Sequence, residues 1–252
     1  MAHSTDVRVH ASEVKFLVQS EAAERIRAWA RAHLSADPHG AGVHGDEYRT
    51  TSLYFDTAEH DVFHRRGSFG RGKYRIRRYG DDEMIFLERK IRQAAVLAKR
   101  RTRAPLETLS SLAQPSIDWA WSGSWFHRRL TARRLRPACQ VTYQRMARTF
   151  VRDGEVMRLT LDTDLRARVL REIRFRRGAG VPVLTTLPGM NVDAILELKF
   201  TGPAPALFRQ LVEQLGLNPQ TASKYRLAAS ALDPSLSSVP PFPDRGGVVL
   251  YA

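Results

Sequence analysis

The sequence predicts an α+β protein built on an antiparallel β-barrel that turns its charged face inward and carries helices on its outside. Three observations predict it. At 252 residues with 43% apolar side chains, the chain can bury a sizeable core. Most of it alternates with the period of two of a β-strand. Strand after strand, that alternation separates an apolar face from a mostly cationic one, in a chain of formal net charge +14. An ordinary antiparallel sheet turns its charged face to water. So many like charges on adjacent strands would repel. They are accommodated if the strands curl around a polyanion while helices cover the apolar side.

The elements follow in order. Residues 7–18 (VRVHASEVKFLV) read as a strand with Glu13 and Lys15 on one face. Residues 20–34 fit a helix, with acids in the first turn and an apolar stripe of Ile26, Trp29, Ala30 and Leu34. Residues 49–56 (RTTSLYFD) form the next strand. Residues 72–79 (GKYRIRRY) align Lys73, Arg75 and Arg77. Residues 84–91 (MIFLERKI) set Glu88 and Lys90 opposite Ile85, Leu87 and Ile91. Residues 96–103 (VLAKRRTR) align Lys99, Arg101 and Arg103. A helix fits 125–135. Residues 140–151 (QVTYQRMARTFV) align Tyr143 and Arg145. Residues 156–162 (VMRLTLD) set Arg158, Thr160 and Asp162 opposite Leu159 and Leu161, and a further strand covers 165–175. Residues 194–200 (AILELKF) set Glu197 and Lys199 opposite Leu196, Leu198 and Phe200. Helices at 204–215 and 222–232 complete the chain. No repeat or linker divides it, so a single domain is expected over residues 1–233. The Pro- and Gly-rich residues 234–252 read as a loose tail.

Several function classes drop out. No apolar run approaches the ~18–20 residues needed to span a bilayer. The N-terminal residues lack the apolar centre of a signal peptide. One cysteine, Cys139, permits no internal disulfide and reads as a buried small side chain. A soluble, cytoplasmic protein is expected. The eight histidines show no metal-ligand spacing, and there is no phosphate-binding P-loop or dinucleotide fingerprint. Trp119, Trp121 and Trp125 read as packing rather than as a stack for adenine.

The charge attracts polyanions without choosing among nucleic acid, anionic membrane and phosphorylated metabolites. Six of the 40 basic residues are lysine: Lys15, Lys73, Lys90, Lys99, Lys199 and Lys224. In so arginine-rich a chain these mark places where a compact ammonium is needed. A nucleic-acid partner is disfavoured, because the cations sit at alternating strand positions rather than on a helix stripe or a tail, and no aromatic RNA-binding motif appears.

The ordered set SLYFDT, KYRIRRYG, FLERK, LAKRR, LDTDL, ILELKF and SKYR resembles the VTC domain. This is the catalytic domain of the polyphosphate polymerases of the vacuolar transporter chaperone, within the triphosphate tunnel metalloenzyme superfamily. The likeness runs from about Glu13 to Tyr225. It implies an eight-stranded barrel forming a basic tunnel, and polyphosphate synthesis from ATP with a divalent metal, Mn²⁺ or Mg²⁺. It implies that Arg75, Arg77, Lys90 and Lys99 hold the triphosphate or growing chain, and that Lys15, Arg145, Lys199 and Lys224 complete the cationic lining. Glu197 is then the first candidate metal ligand and Glu13 the second. Glu88 and Asp162 are weaker candidates whose alternative is an ion pair with neighbouring cations. Arg65, Arg66 and Arg71 sit where they could guard a tunnel mouth or form a solvated loop. Hydrolytic relatives open with Glu-x-Glu-x-Lys, whereas here Ala11 stands two before Glu13, which favours polymerase over triphosphatase. The regulatory segment and membrane helices of the yeast relatives are not expected, and membrane partners and oligomeric state stay open. The alternatives are a tripolyphosphate or nucleoside triphosphate hydrolase and a polyanion-binding module without turnover.

Overall fold

The computed structural model describes residues 11–238, apart from 39, 41, 71, 94–95, 153–154, 179 and 186–190. The expected strand residues 7–10, the mouth residue Arg71 and most of the expected tail, 239–252, lie outside the described residues.

In chain order the elements are β1 (Ala11–Val18), α1 (Ser20–His33), β2 (Ser35–Ala36), β3 (Glu47–Asp56), α2 (Asp61–His64), β4 (Lys73–Tyr79), β5 (Met84–Gln93) and β6 (Val96–Pro105). Then come α3 (Ser124–Ala132), β7 (Arg136–Arg152), β8 (Glu155–Val169), β9 (Val181–Pro182), β10 (Ala194–Thr201), α4 (Ala206–Gln214) and α5 (Lys224–Leu232). All pairings are antiparallel, and the main path runs β1-β10-β8-β7-β3-β4-β5-β6, with β2 on β7 and β9 on β8.

The path of eight strands matches the expected count, but the expected closure is corrected. The sheet is open, because β1 and β6 stand at its two ends and do not pair. Side chains span the gap instead: Lys90 Nζ of β5 donates to Glu13 Oε2 of β1 at 3.2 Å. The sheet is therefore curled far enough to bring its ends within one side-chain pair of each other.

A second correction concerns the strand expected at 165–175. It is the end of β8, which runs unbroken from 155 to 169 and then leaves the sheet. The punctuation read at 163–164 is a bulge. Asp164 takes φ +48°, and the β7–β8 register shifts between Thr142 and Gln144. A bulge bends a strand without ending it.

The two faces divide as alternation predicts. On the outer face, Val14, Phe16, Val18, Leu159, Leu161, Leu196, Leu198 and Phe200 are buried under Ile26 and Ala30 of α1 and Phe208, Leu211 and Val212 of α4. A second apolar cluster joins Leu53, Ile76, Ile85, Leu87 and Val141 to Trp125, Phe126 and Leu130 of α3 and Tyr225 and Ala228 of α5. α1 has Glu21 in its first turn and Arg31 and His33 in its last, complementing its dipole. Pro234–Ser238 makes a 3-10 turn after α5, with Leu236 buried.

Candidate active site

The inner face is set by strand register. Lys73 of β4 lies opposite Lys90 of β5, which lies opposite Lys99 of β6. The next row is Tyr54, Arg75, Glu88 and Arg101, and the third is Ser52, Arg77, Phe86 and Arg103. On the other half, Glu13 opposes Lys199, which opposes Arg158, while Lys15 opposes Glu197, which opposes Thr160. Arg145 of β7 opposes Asp162 of β8. All eight of the cations expected in the lining thus lie on this face or reach it, seven from strands and Lys224 from the start of α5.

These cations differ in how far the protein neutralises them. Arg145 grips Asp162 bidentately at 2.6 and 2.8 Å, and Lys224 Nζ sits 2.5 Å from the same carboxylate. Arg75 Nε lies 2.5 Å and Arg101 Nε 3.3 Å from Glu88. Both Glu88 and Asp162 are buried and make ion pairs. Lys15 lies 2.8 Å from Glu13 and 3.6 Å from Glu197, and Lys199 lies 2.6 Å from Glu197 and 3.7 Å from Glu13.

Four inner cations make no ion pair among the described residues, Lys73, Arg77, Lys99 and Arg103, although the charge of Glu88 acts on Arg77 and Lys99. Arg77, 6% exposed, donates only to neutral hydroxyls, Ser52 Oγ at 3.3 Å and Tyr143 Oη at 3.2 Å. Burial, with Lys15 and Lys90 nearby, holds the Lys73 ammonium well below its ordinary pKa. Burial also lowers Lys99, partly offset by Glu88. Like charges directly opposite each other destabilise a sheet. The row Lys73–Lys90–Lys99, in which Lys90 pairs with Glu13 and Lys99 feels Glu88, is therefore shaped for an anion rather than for the stability of the empty protein.

The carboxylates respond to the same field. Burial alone would raise Glu13, Glu88, Asp162 and Glu197. For Glu13 the neighbouring Glu197 adds to that push. The surrounding lysines and arginines outweigh it in every case and hold all four below the ordinary carboxylate range. Burial likewise raises the Tyr79 phenol, but Arg77 and Arg101 overcome it and bring the pKa to about 8.

Among the described residues, no group of three or more His, Cys, Asp or Glu could hold a metal ion. Glu13 and Glu197 are nonetheless neighbours on β1 and β10, both ionised and both sharing Lys15 and Lys199. Two carboxylates are the donor set of a hard divalent cation that completes its shell with phosphate oxygens and water. The residues fit such an ion.

The expected lining leaves out Ser52, Tyr143, Tyr79, Arg101 and Arg158, and Lys73, though singled out among the six lysines, carries no assigned role in it. Lys73 was legible, because it shares the face of Arg75 and Arg77. Ser52 and Tyr143 acquire their role from the cross-strand position of Arg77, which single-strand patterning does not contain. Arg65 and Arg66 lie in the turn after α2, where Arg66 donates to Glu59 O at 3.2 Å. Trp125 is buried and donates to Thr102 Oγ1 at 2.8 Å, on the outer face. Cys139 is buried, and burial pushes its thiol up. No helix among the described residues is long and apolar enough to cross a membrane.

Among solved structures, a Bacillus halodurans protein named as a candidate adenylate cyclase is similar at TM-score 0.50 and 16% identity, over 84% of this chain and 92% of that one. A Hippeastrum candidate adenylyl cyclase with dominant triphosphatase activity aligns at TM-score 0.48 and 14% identity, over 91% of this chain and 99% of that one. A Pyrococcus horikoshii protein aligns at TM-score 0.46 and 12% identity, over 86% and 97%. The first likeness supports the tunnel-type fold. No curated protein matches. The profile of the VTC domain matches residues 10–232, which takes in every strand and every cation of the curled sheet, and the chain belongs to the VTC domain family.

Proposed function

We propose that this chain is a polyphosphate polymerase that transfers the γ-phosphate of ATP to a phosphate chain held on the concave basic face. Family membership and the basic face support an enzyme acting on triphosphate compounds, and the polymerase reading goes one step further. The observation that carries it is the in-register row Lys73–Lys90–Lys99 beside Arg77, because these cations face inward with little protein counter-charge. A linear oligophosphate supplies charge at a spacing such a row can follow.

Phosphoryl transfer needs alignment and charge neutralisation more than covalent help from the protein. The chain's terminal oxygen attacks the γ-phosphorus, the bond to the β-phosphate oxygen breaks, and ADP leaves. Arg77 offers its planar guanidinium to the γ-phosphate oxygens, held in place by Ser52 and Tyr143. Lys73, Lys90 and Lys99 hold neighbouring phosphates as point charges. Glu88 orients Arg75 and Arg101, while Asp162 orients Arg145 and Lys224. Glu13 and Glu197 would hold Mn²⁺ or Mg²⁺, which when bound neutralises charge on the transferring group. Residues 1–233 form the catalytic unit, with 234–252 as its tail. A cytoplasmic location, where ATP is made, goes with this reading.

Ala11 in place of a third tunnel carboxylate on β1 favours chain growth over hydrolysis, since fewer oxygens are available to activate water. Purified protein given ATP and Mn²⁺ should produce a long anionic ladder on a gel that an exopolyphosphatase digests. Release of orthophosphate alone would replace the polymerase by a triphosphatase.

A further inference from the structure

A second cluster of arginines lies on the opposite side of the same wall. Arg89 of β5 and Arg100 of β6 are direct cross-strand partners, one position along from Lys90 and Lys99, so they leave the outer face. There they meet α3. Arg129 is the main charged neighbour of Arg89, and Arg89, Arg128 and Arg129 all press on Arg100. Among the described residues none of the four makes an ion pair, and Arg89 Nε is a buried donor without an acceptor. The arrangement is held rigidly. The Arg100 guanidinium lies over the Trp125 ring at 4.4 Å, and that ring is fixed by its hydrogen bond to Thr102. Arg128 lies 6.0 Å from the ring of Trp119, which is 68% exposed.

Four guanidiniums on two strands and one helix repel one another, and no ion pair among the described residues offsets them. Guanidiniums match phosphate oxygens in pairs, and Arg100 is positioned by its contact with the Trp125 ring. Trp119 is the one large apolar side chain exposed beside the cluster, too little to anchor the patch in a bilayer. We infer that this outer patch is a second anion site, built to bind a free oligophosphate through Arg89, Arg100, Arg128 and Arg129, separate from the inner face. The ligand class is that of the proposed polymerase, and on that reading the patch would hold a stretch of chain outside the tunnel.

Three of the four tryptophans, Trp119, Trp121 and Trp125, lie in or next to this region, so tryptophan fluorescence should report it. Tripolyphosphate titrated into the full-length protein should bind in two classes by calorimetry, one of them accompanied by a fluorescence change. Arg100→Gln/Arg128→Gln should weaken the fluorescent class at least tenfold while leaving the other class and ATP turnover in place. Lys73→Met/Lys99→Met should do the reverse. Arg128→Gln alone, at an exposed position, serves as the variant that cannot fail by misfolding and should weaken the fluorescent class severalfold. A single binding class, or a fluorescence response indifferent to Arg128→Gln, overturns the inference. So does loss of binding to phosphatidylserine vesicles in the double variant with tripolyphosphate binding unchanged, which would assign the patch to a membrane. The readout is binding, so absence of polymer synthesis would count against the polymerase and leave the outer site standing.

Discussion

Arg77 is buried and donates to two hydroxyls, and although burial and Arg75 oppose its charge, Tyr143, Glu88 and Tyr79 outweigh them and hold it charged. Arg77→Met should therefore lower the melting temperature only modestly, by the loss of those contacts, while turnover falls about 30- to 1000-fold, the scale of one lost charge-assisted contact. Lower stability with normal turnover would make Arg77 a structural residue. Tyr79 supplies a pH signature. Its phenol has a pKa of about 8, below the ordinary value of 10, so ionisation favours the folded protein as pH rises through that interval. The same phenolate sets a negative charge beside Arg77 and Arg101 and works against an anion. Tripolyphosphate affinity should weaken above about pH 8, and Tyr79→Phe should remove that part of the loss. An identical pH profile in the variant would refute the assignment. Glu197 separates two roles. As a metal anchor, Glu197→Gln should still bind tripolyphosphate but lose Mn²⁺-dependent turnover. As a charge balancer only, the variant should bind at least as tightly and keep its Mn²⁺ activation curve.

At the scale of elements, alternation located every long strand, because each carries an apolar outer face that register must keep buried. The charged inner face was legible for the same reason. What was not legible depends on contacts between distant strands. The bulge at Asp164 looks like a strand break in sequence, since a short polar residue that tolerates a left-handed backbone serves both purposes. The short helix α2 is invisible to periodicity, because its four residues are held from outside. Asp56, at the end of β3, accepts the amides of Thr57 (2.7 Å), Val62 (2.8 Å) and Phe63 (2.9 Å), and also the hydroxyl of Tyr225 in α5. One buried carboxylate thus fastens α2 and α5 to the sheet, and α5 in turn presents Lys224 to Asp162. Asp56→Ala would strand four buried donors, three amides and the Tyr225 hydroxyl, at roughly 1–3 kcal/mol each. It should lower stability by about 3 kcal/mol or more, whereas Tyr225→Phe should cost about 1 kcal/mol. Denaturant melts of the two variants test the ranking. Equal losses would show that the Tyr225 contact, not the α2 amides, carries the junction.

At the scale of the whole molecule, the curled sheet sets many cations against few carboxylates, among them Glu13, Glu88, Asp162 and Glu197. Each of these carboxylates has its pKa depressed in the folded state. Their contribution is therefore full above the unfolded carboxylate range near pH ~4 and is lost as pH falls through the lower folded values. Stability should hold from about pH 5 to 8 and fall steeply below about pH 4, when the inner face is left with uncompensated positive charge. A ligand that brings its own negative charge to that face should act in the opposite sense. At a concentration 100 times its Kd, tripolyphosphate contributes about 2.7 kcal/mol. For a domain of this size that is a rise of roughly 5–10 °C in Tm. Orthophosphate, which spans one cation rather than a row, should give much less. The inner cations sit at alternating strand positions on a concave face rather than on a projecting helix or tail, so at physiological salt duplex DNA should neither raise Tm comparably nor displace tripolyphosphate. The measurement is thermal melting at pH 7 with each polyanion, repeated with the Lys73→Met/Lys99→Met variant. If DNA matched tripolyphosphate, or if the variant kept the full tripolyphosphate shift, the inner face would lose its claim as the site. The net charge of +14 would then have to be read as a surface for nucleic acid.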